Sequence, residues 1–281
     1  FYFDIRSFVF FYRTPYFTSE IQKHFGGHPY LSLTPTQHIL DASEDIGYQA
    51  FSEANKAVDE HFVTLVNCLA DKMKPPLTFT LVGPTAAGKS EITDKMRARL
   101  TETGHSVTSV EMDNFFKDRE FRDGKPIDIE VIHYQLFIEA ITRLQSGKSA
   151  NIPRYDFIKA TSSHDLDGTL RPGQTMIKIQ PADIILLEGN FPFHIPEISP
   201  MIDVKTVYLT DDPVRLKRKW KRDVDYRKKY HPAYLTNRFF KTQYQRSGEI
   251  YRPMMAVCEL VVNTSAACIW VTPEISALIA K

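Results

Sequence analysis

The 281-residue chain has only three cysteines, Cys68, Cys258 and Cys268. Their wide, irregular spacing excludes a disulfide framework or a zinc cage as the organising principle. A reducing compartment is the simplest reading, so a cytoplasmic location is expected. No apolar run approaches the ~20 residues of a membrane span, and no membrane association is expected. Charge of one sign is also lacking: 35 Lys and Arg face 34 Asp and Glu, for a net charge of +1. Bulk electrostatics therefore give no case for nucleic acid as a partner. Internal repeats and low-complexity tracts are absent. The chain opens on Phe1 rather than Met, which fits a fragment boundary. Residues 1–11 are aromatic-rich, but Asp4 and Arg6 interrupt them. Without a basic n-region or a small-residue cleavage site they do not read as a signal peptide. An apolar share of 43% with 25% charged residues is that of a globular protein.

What is present is concentrated in Gly83-Pro84-Thr85-Ala86-Ala87-Gly88-Lys89-Ser90. This is G-x-x-x-x-G-K-S, the phosphate-binding loop. Gly83 and Gly88 let the backbone curl so that the N–H groups of Thr85, Ala86, Ala87 and their neighbours face one anion. In this pattern the Lys, here Lys89, is expected to reach the β/γ-phosphates of a nucleoside triphosphate and the hydroxyl of Ser90 to hold Mg²⁺. A glycine turn before an ordinary helix is the bland alternative, and the flanks argue against it. Residues 77–82 (LTFTLV) are apolar and β-branched, like a buried parallel strand. Ile92, Met96 and Leu100 then recur every four residues among charged ones, an amphipathic helix. Strand, loop and helix in that order place a phosphate at a helix N-terminus.

Residues 1–75 read as an N-terminal, mostly helical extension. Turn signals lie at Gly26-Gly27, Pro29 and Pro35. Phe51, Ala54, Val58, Phe62, Leu65, Val66 and Leu69 then mark a long helix ending near Pro75-Pro76. The extension carries no recognisable chemistry; packing onto the rest of the chain and serving a partner are both open. Residues 76–281 form the second region. Strands are expected at 106–112, 182–187, 204–209 and 260–262, and helices at 132–144, 213–229 and 234–257. Alternating βαβ units predict an α/β fold with a mainly parallel sheet flanked by helices. Ligands in such folds bind beyond the carboxyl ends of the strands.

Two carboxylates sit at such ends. Asp113 follows the second strand, beside the loop if the two strands are neighbours. There it can take a proton from an attacking hydroxyl or reach Mg²⁺ through water; an ordinary helix cap is the alternative. Glu188 ends an apolar strand, where burial is costly without a cation and Mg²⁺ supplies one. The helix at 215–229 is dense in Lys and Arg. It reads as a solvated face or as a basic lid that neutralises transferred phosphate. Tyr155 and Phe157 suit an aromatic slot for a flat group, or plain packing.

In this order, GPTAAGKS at 83–90, EMDNFFKD at 111–118, IPRYDF at 152–157, IILLEG at 184–189 and VYLTDDPVRLKRKWKRDVDYR at 207–227 resemble the uridine kinase branch of the phosphoribulokinase/uridine kinase family of P-loop kinases. The resemblance covers about residues 77–265. It implies ATP and Mg²⁺ as cofactors and Asp113 as the base that activates a sugar 5′-hydroxyl. Glu188 becomes the metal-associated Glu, and Arg222 and Arg227 become lid arginines facing phosphates and substrate. Phe116 stands where the family often has a substrate-contacting Tyr. Tyr155 and Phe157 would line the base pocket, and Asp128 would hold ribose hydroxyls. Homo-oligomers are common in the family, although no interface is readable here.

Departures from the family pattern leave the ATP machinery better kept than the acceptor pocket. Ala160 stands where a pyrimidine-reading His is usual, with His164 four residues further on. Lys219 replaces an Arg, and the acidic D-x-P-x-x-x-D stretch becomes Pro126-Ile127-Asp128-Ile129-Glu130. The expected function is ATP-dependent phosphorylation of a ribonucleoside such as uridine or cytidine. One alternative is a kinase of the same superfamily acting on another hydroxylated metabolite, such as a sugar phosphate. The other is an ATP-binding regulatory protein that has lost turnover.

Overall fold

A computed structural model describes residues 13–34, 48–125, 129–210, Arg215, Arg218, Lys219, Arg222 and 247–280. Helix α1 (Arg13–Phe25) and strand β1 (Leu31–Ser32) precede the long α2 (Tyr48–Lys72). Then come β2 (Leu77–Val82), α3 (Lys89–Glu102), β3 (Val107–Glu111) and a 3₁₀ turn at Met112–Phe115. After the short α4 (Arg119–Arg122) and α5 (Tyr134–Gln145) come four small strands: β4 (Ala150–Ile152), β5 (Tyr155–Asp156), β6 (Thr161–Ser162) and β7 (Ile177–Ile179). The chain then forms β8 (Ile184–Gly189), β9 (Val204–Leu209), a π-turn at Ser247–Tyr251, α6 (Arg252–Met255), β10 (Leu260–Asn263), β11 (Cys268–Val271) and α7 (Pro273–Ala280). Among the described residues no helix is long and apolar enough to cross a membrane.

The main sheet has the order β1-β11-β10-β9-β2-β8-β3. The five strands from β10 to β3 run parallel, and β11 and β1 close one edge antiparallel. The expected mainly parallel α/β sheet is therefore present. β2 and β8 sit among parallel neighbours, which explains their nearly unbroken apolar sequences. Alternate side chains serve opposite faces. Leu77, Phe79 and Leu81 join one core cluster with α2, α3 and α7; Ile185, Leu187 and Val207 join another with α5 and α6. Thr78, pointing away from the first cluster, accepts a 2.8 Å hydrogen bond from Gln145 Nε2 of α5.

The expected long helix is α2, and it packs on the sheet: Val58, Phe62, Val66 and Leu69 are buried in the α3-side core. Among the elements that went unanticipated are β1, the small strands β4 to β7, β11 and α7. The helices expected at 213–229 and 234–257 lie largely outside the described residues. One expectation changes. β3 pairs with β8, not with β2, so Glu188's strand lies between the loop strand and Asp113's.

Candidate active site

The phosphate-binding loop joins the carboxyl end of β2 to the N-terminus of α3. Gly88 caps that helix with φ +103°, a conformation side-chain-bearing residues rarely adopt. Gly83 is required by proximity, because a Cβ there would collide with the Tyr208 carbonyl oxygen. The loop is anchored from below by Thr210, whose hydroxyl donates to Ala87 O at 2.9 Å.

Lys89 curls over the loop and donates to Gly83 O at 3.0 Å and Pro84 O at 3.3 Å. Burial holds its pKa below the ordinary lysine value, with the nearby Arg222 and Arg215 adding to the effect; Glu188 and Asp113 oppose it. Ser90 Oγ donates to Glu188 Oε1 at 2.8 Å. Burial raises the Glu188 pKa, opposed chiefly by the Lys89 charge and the Ser90 hydrogen bond.

Asp113 lies in the 3₁₀ turn directly after β3. Although two strands from the loop strand, it lines the same cavity as Thr85, Ala86, Gly88, Lys89, Ser90, Glu188, Asn190 and Arg222. Asn190 Nδ2 donates to Asp113 Oδ1 at 3.4 Å. Its own Oδ1 is a buried acceptor with no partner among the described residues. Sequence reasoning missed Asn190; its place two residues beyond Glu188, at a strand's carboxyl end, was the available signal.

Three described arginines of the basic segment contact the loop. Arg215 Nη1 donates to Thr85 O at 3.1 Å, Arg218 Nη1 to Ala87 O at 3.1 Å and Arg222 Nη2 to Thr85 Oγ1 at 3.3 Å. Arg222 thus reaches the phosphate-binding loop. Arg227 and Asp128 lie outside the described residues.

Beyond Asp113 the chain forms an aromatic corner. Asn114 Oδ1 accepts the Tyr155 N–H at 3.3 Å, tying the turn to the β5–β6 hairpin. Tyr155 meets Phe116 and Phe157 edge-on, with ring centroids 6.2 and 5.2 Å apart. The corner is occupied. The Arg122 guanidinium lies 4.5 Å from the Phe116 centroid and 5.4 Å from that of Tyr155. It also donates to Tyr155 OH at 2.6 Å and to Lys117 O at 2.7 Å. Nothing in the local sequence announced this contact, which joins residues 33 positions apart. Ala160 has φ +61°, and its carbonyl accepts the Arg119 N–H at 2.9 Å. His164 is buried beside His133, with ring centroids 5.8 Å apart, and its Nδ1 is 2.9 Å from Ser163 Oγ. It therefore serves an internal network.

A model of the Phosphoribulokinase / Uridine kinase family matches residues 79–247. The chain belongs to that family. Among its relatives is uridine-cytidine kinase A of Dictyostelium discoideum, 32% identical over 157 residues, covering 54% of this chain and 29% of that protein. Another is uridine kinase of Leuconostoc citreum, 26% identical over 161 residues, covering 54% of this chain and 70% of the relative. The chain thus matches less than a third of the first relative's length. Among solved structures, the D-glycerate 3-kinase of Cryptococcus neoformans superposes with a TM-score of 0.53 at 15% identity, over 74% of this chain and 96% of that one. At that identity the likeness is one of fold. The P-loop kinase architecture expected from the sequence is the one observed, and the family is one of phosphotransferases acting on an alcohol group.

Proposed function

We propose that the chain is an ATP- and Mg²⁺-dependent kinase that phosphorylates a hydroxyl of a small metabolite. The 5′-hydroxyl of a ribonucleoside such as uridine or cytidine is the acceptor its relatives support. The observation that carries this reading is the single cavity shared by Lys89, Ser90, Glu188 and Asp113.

The donor set fits Mg²⁺. Ser90, Glu188 and Asp113 offer hard oxygen ligands, and Asn190 presents a buried acceptor, unpartnered among the described residues, that suits a coordinated water or an acceptor hydroxyl. No all-protein metal cage occurs among the described residues. That suits Mg²⁺, which keeps several waters and binds through one or two protein groups plus phosphate. When bound, it would neutralise charge on the phosphate oxygens.

The steps are assigned to named residues. Backbone N–H groups of residues 85–90 and the Lys89 ammonium bind the phosphates. Asp113 accepts the acceptor's hydroxyl proton as its oxygen bonds to the γ-phosphorus and the bond to the ADP oxygen breaks. Arg222, which reaches the loop, is assigned to the transferring group and Phe116, Tyr155 and Phe157 to the acceptor; Arg227 and Asp128, outside the described residues, are assigned to the same two tasks on the family resemblance alone.

The Arg122 guanidinium in the aromatic corner favours a second acceptor class, a hydroxylated metabolite carrying an anion, such as a sugar phosphate. Acceptor-dependent ADP release with purified protein separates the readings. Turnover of uridine or cytidine supports the first, and turnover of sugar phosphates alone supports the second. ATP binding without acceptor-dependent release would leave a regulatory protein. Asp113→Asn is expected to lower kcat by about 10²–10⁴ with little change in KM for ATP; undiminished turnover would remove Asp113 as the base.

A further inference from the structure

Helix α2 lies outside the stretch that carries the family match, yet it sends one carboxylate into the interior. Asp59 is 3% exposed. It accepts a 2.6 Å hydrogen bond from Tyr208 OH and a 3.0 Å one from Lys95 Nζ. A buried carboxylate is costly unless paired, and these two donors hold it in place. Burial raises the Tyr208 pKa, and the Asp59 charge raises it further. The tyrosine therefore keeps its proton and donates.

Tyr208 lies on β9, which pairs with the loop strand β2 at Val207↔Val82. Its carbonyl oxygen abuts Gly83, and its ring carbon lies 3.8 Å from where a Cβ on Gly88 would be. Both glycines that shape the phosphate-binding loop therefore rest on one tyrosine. The hydroxyl end of that tyrosine is fixed by Asp59. Lys95, the second donor, lies on α3, the helix that Lys89 and Ser90 begin. One carboxylate thus ties the underside of the loop to the helix that follows it. Phe62, three residues along α2, flanks the same ring at 6.3 Å.

We propose that Asp59 is a positioning residue for the phosphate-binding loop, holding Tyr208 beneath Gly83 and Gly88 so that the loop keeps the shape that receives ATP. The proposal rests on the ATP-dependent reading above and assigns a task to the N-terminal region that the sequence left open.

The test is binding of a fluorescent ATP analogue, alongside KM for ATP and for the acceptor, in the full chain. Asp59→Ala and Tyr208→Phe are each expected to raise the ATP Kd about tenfold, the effect of one buried hydrogen bond. The acceptor KM should hold. The double variant should be no worse than either single one, because both remove the same contact. Asp59→Asn, which keeps an acceptor oxygen for Tyr208, should bind ATP nearly as wild type does. Leu144→Ala, in the opposite core cluster, serves as a destabilised control: its melting temperature should fall while its ATP Kd does not move. Unchanged ATP affinity in Tyr208→Phe, a conservative change expected to fold, would overturn the proposal. So would equal losses in Asp59→Asn and Asp59→Ala, which would assign the effect to the Lys95 ion pair. A wild-type protein that binds no ATP would instead overturn the kinase reading, a distinguishable result.

Discussion

Acid should destabilise this protein through His133 before most of its carboxylates are protonated. His133 is 4% exposed, with Nε2 3.1 Å from Ser162 Oγ. Its pKa is pushed down from 6.5 to about 4, first by burial, then by the charges of His164, Lys117 and Arg171, with Asp118 opposing. The unfolded chain takes up this proton near pH 6.5, and the folded chain holds out until about pH 4. Between those values the unfolded state binds more protons, so stability is complete above pH 6.5 and is lost as pH falls towards 4. A displacement of about 2.5 pH units, at about 1.4 kcal/mol per unit, amounts to about 3 kcal/mol. That is a large fraction of a typical domain's stability. His164 is displaced downward as well, mainly by burial, and acts in the same direction. The assay is urea unfolding of wild type and His133→Asn at several pH values between about 7 and 4.5. The wild type should lose most of that 3 kcal/mol more than the variant, which keeps a donor for Ser162 but cannot titrate. Parallel stability curves for the two proteins would refute the reasoning.

Three further outcomes follow from the site. Glu188→Gln, which weakens the acceptor of the Ser90 hydroxyl, should raise the Mg²⁺ concentration needed for turnover by about 10–100-fold; an unchanged Mg²⁺ titration would exclude the metal role. Gly83→Ala should weaken ATP binding at least tenfold and cost about 1–3 kcal/mol of stability in urea unfolding, because the new Cβ meets the Tyr208 carbonyl. Arg122→Ala should lower kcat/KM for an anionic acceptor about tenfold or more and leave that for an uncharged nucleoside equal or higher. Equal losses for both would remove Arg122 from acceptor selection.

The donor side was legible because its information is local. Eight consecutive residues specify the loop, and the apolar strand before it and the amphipathic helix after it are read from their own periodicities. Glu188 was legible as a carboxylate closing an apolar strand, and Asp113 as one just past the end of the second strand. The order of those strands was not, since nothing in β3 says that it pairs with β8 rather than β2. The acceptor side was harder still. Tyr155 and Phe157 read as an aromatic slot, but whether the slot is open depends on Arg122, brought in by the turn after Asp118. His164 could be placed in the sequence only by its distance from Ala160, and its burial against His133 shows its structural task. Asp59 stood unremarked in an amphipathic helix because its significance lies in Tyr208, 149 residues away.

The placement of α2 separates two boundaries that are often treated as one. Kinship begins at residue 79, but the hydrophobic layer over that side of the sheet begins at Val58. A chain cut where the kinship starts would keep every residue of the phosphate-binding motif. It would also remove Phe62, Val66 and Leu69 from the core cluster they share with Phe79, Leu81 and Leu186. The stretch that carries the kinship is therefore shorter than the stretch whose side chains build the core beneath the phosphate-binding loop.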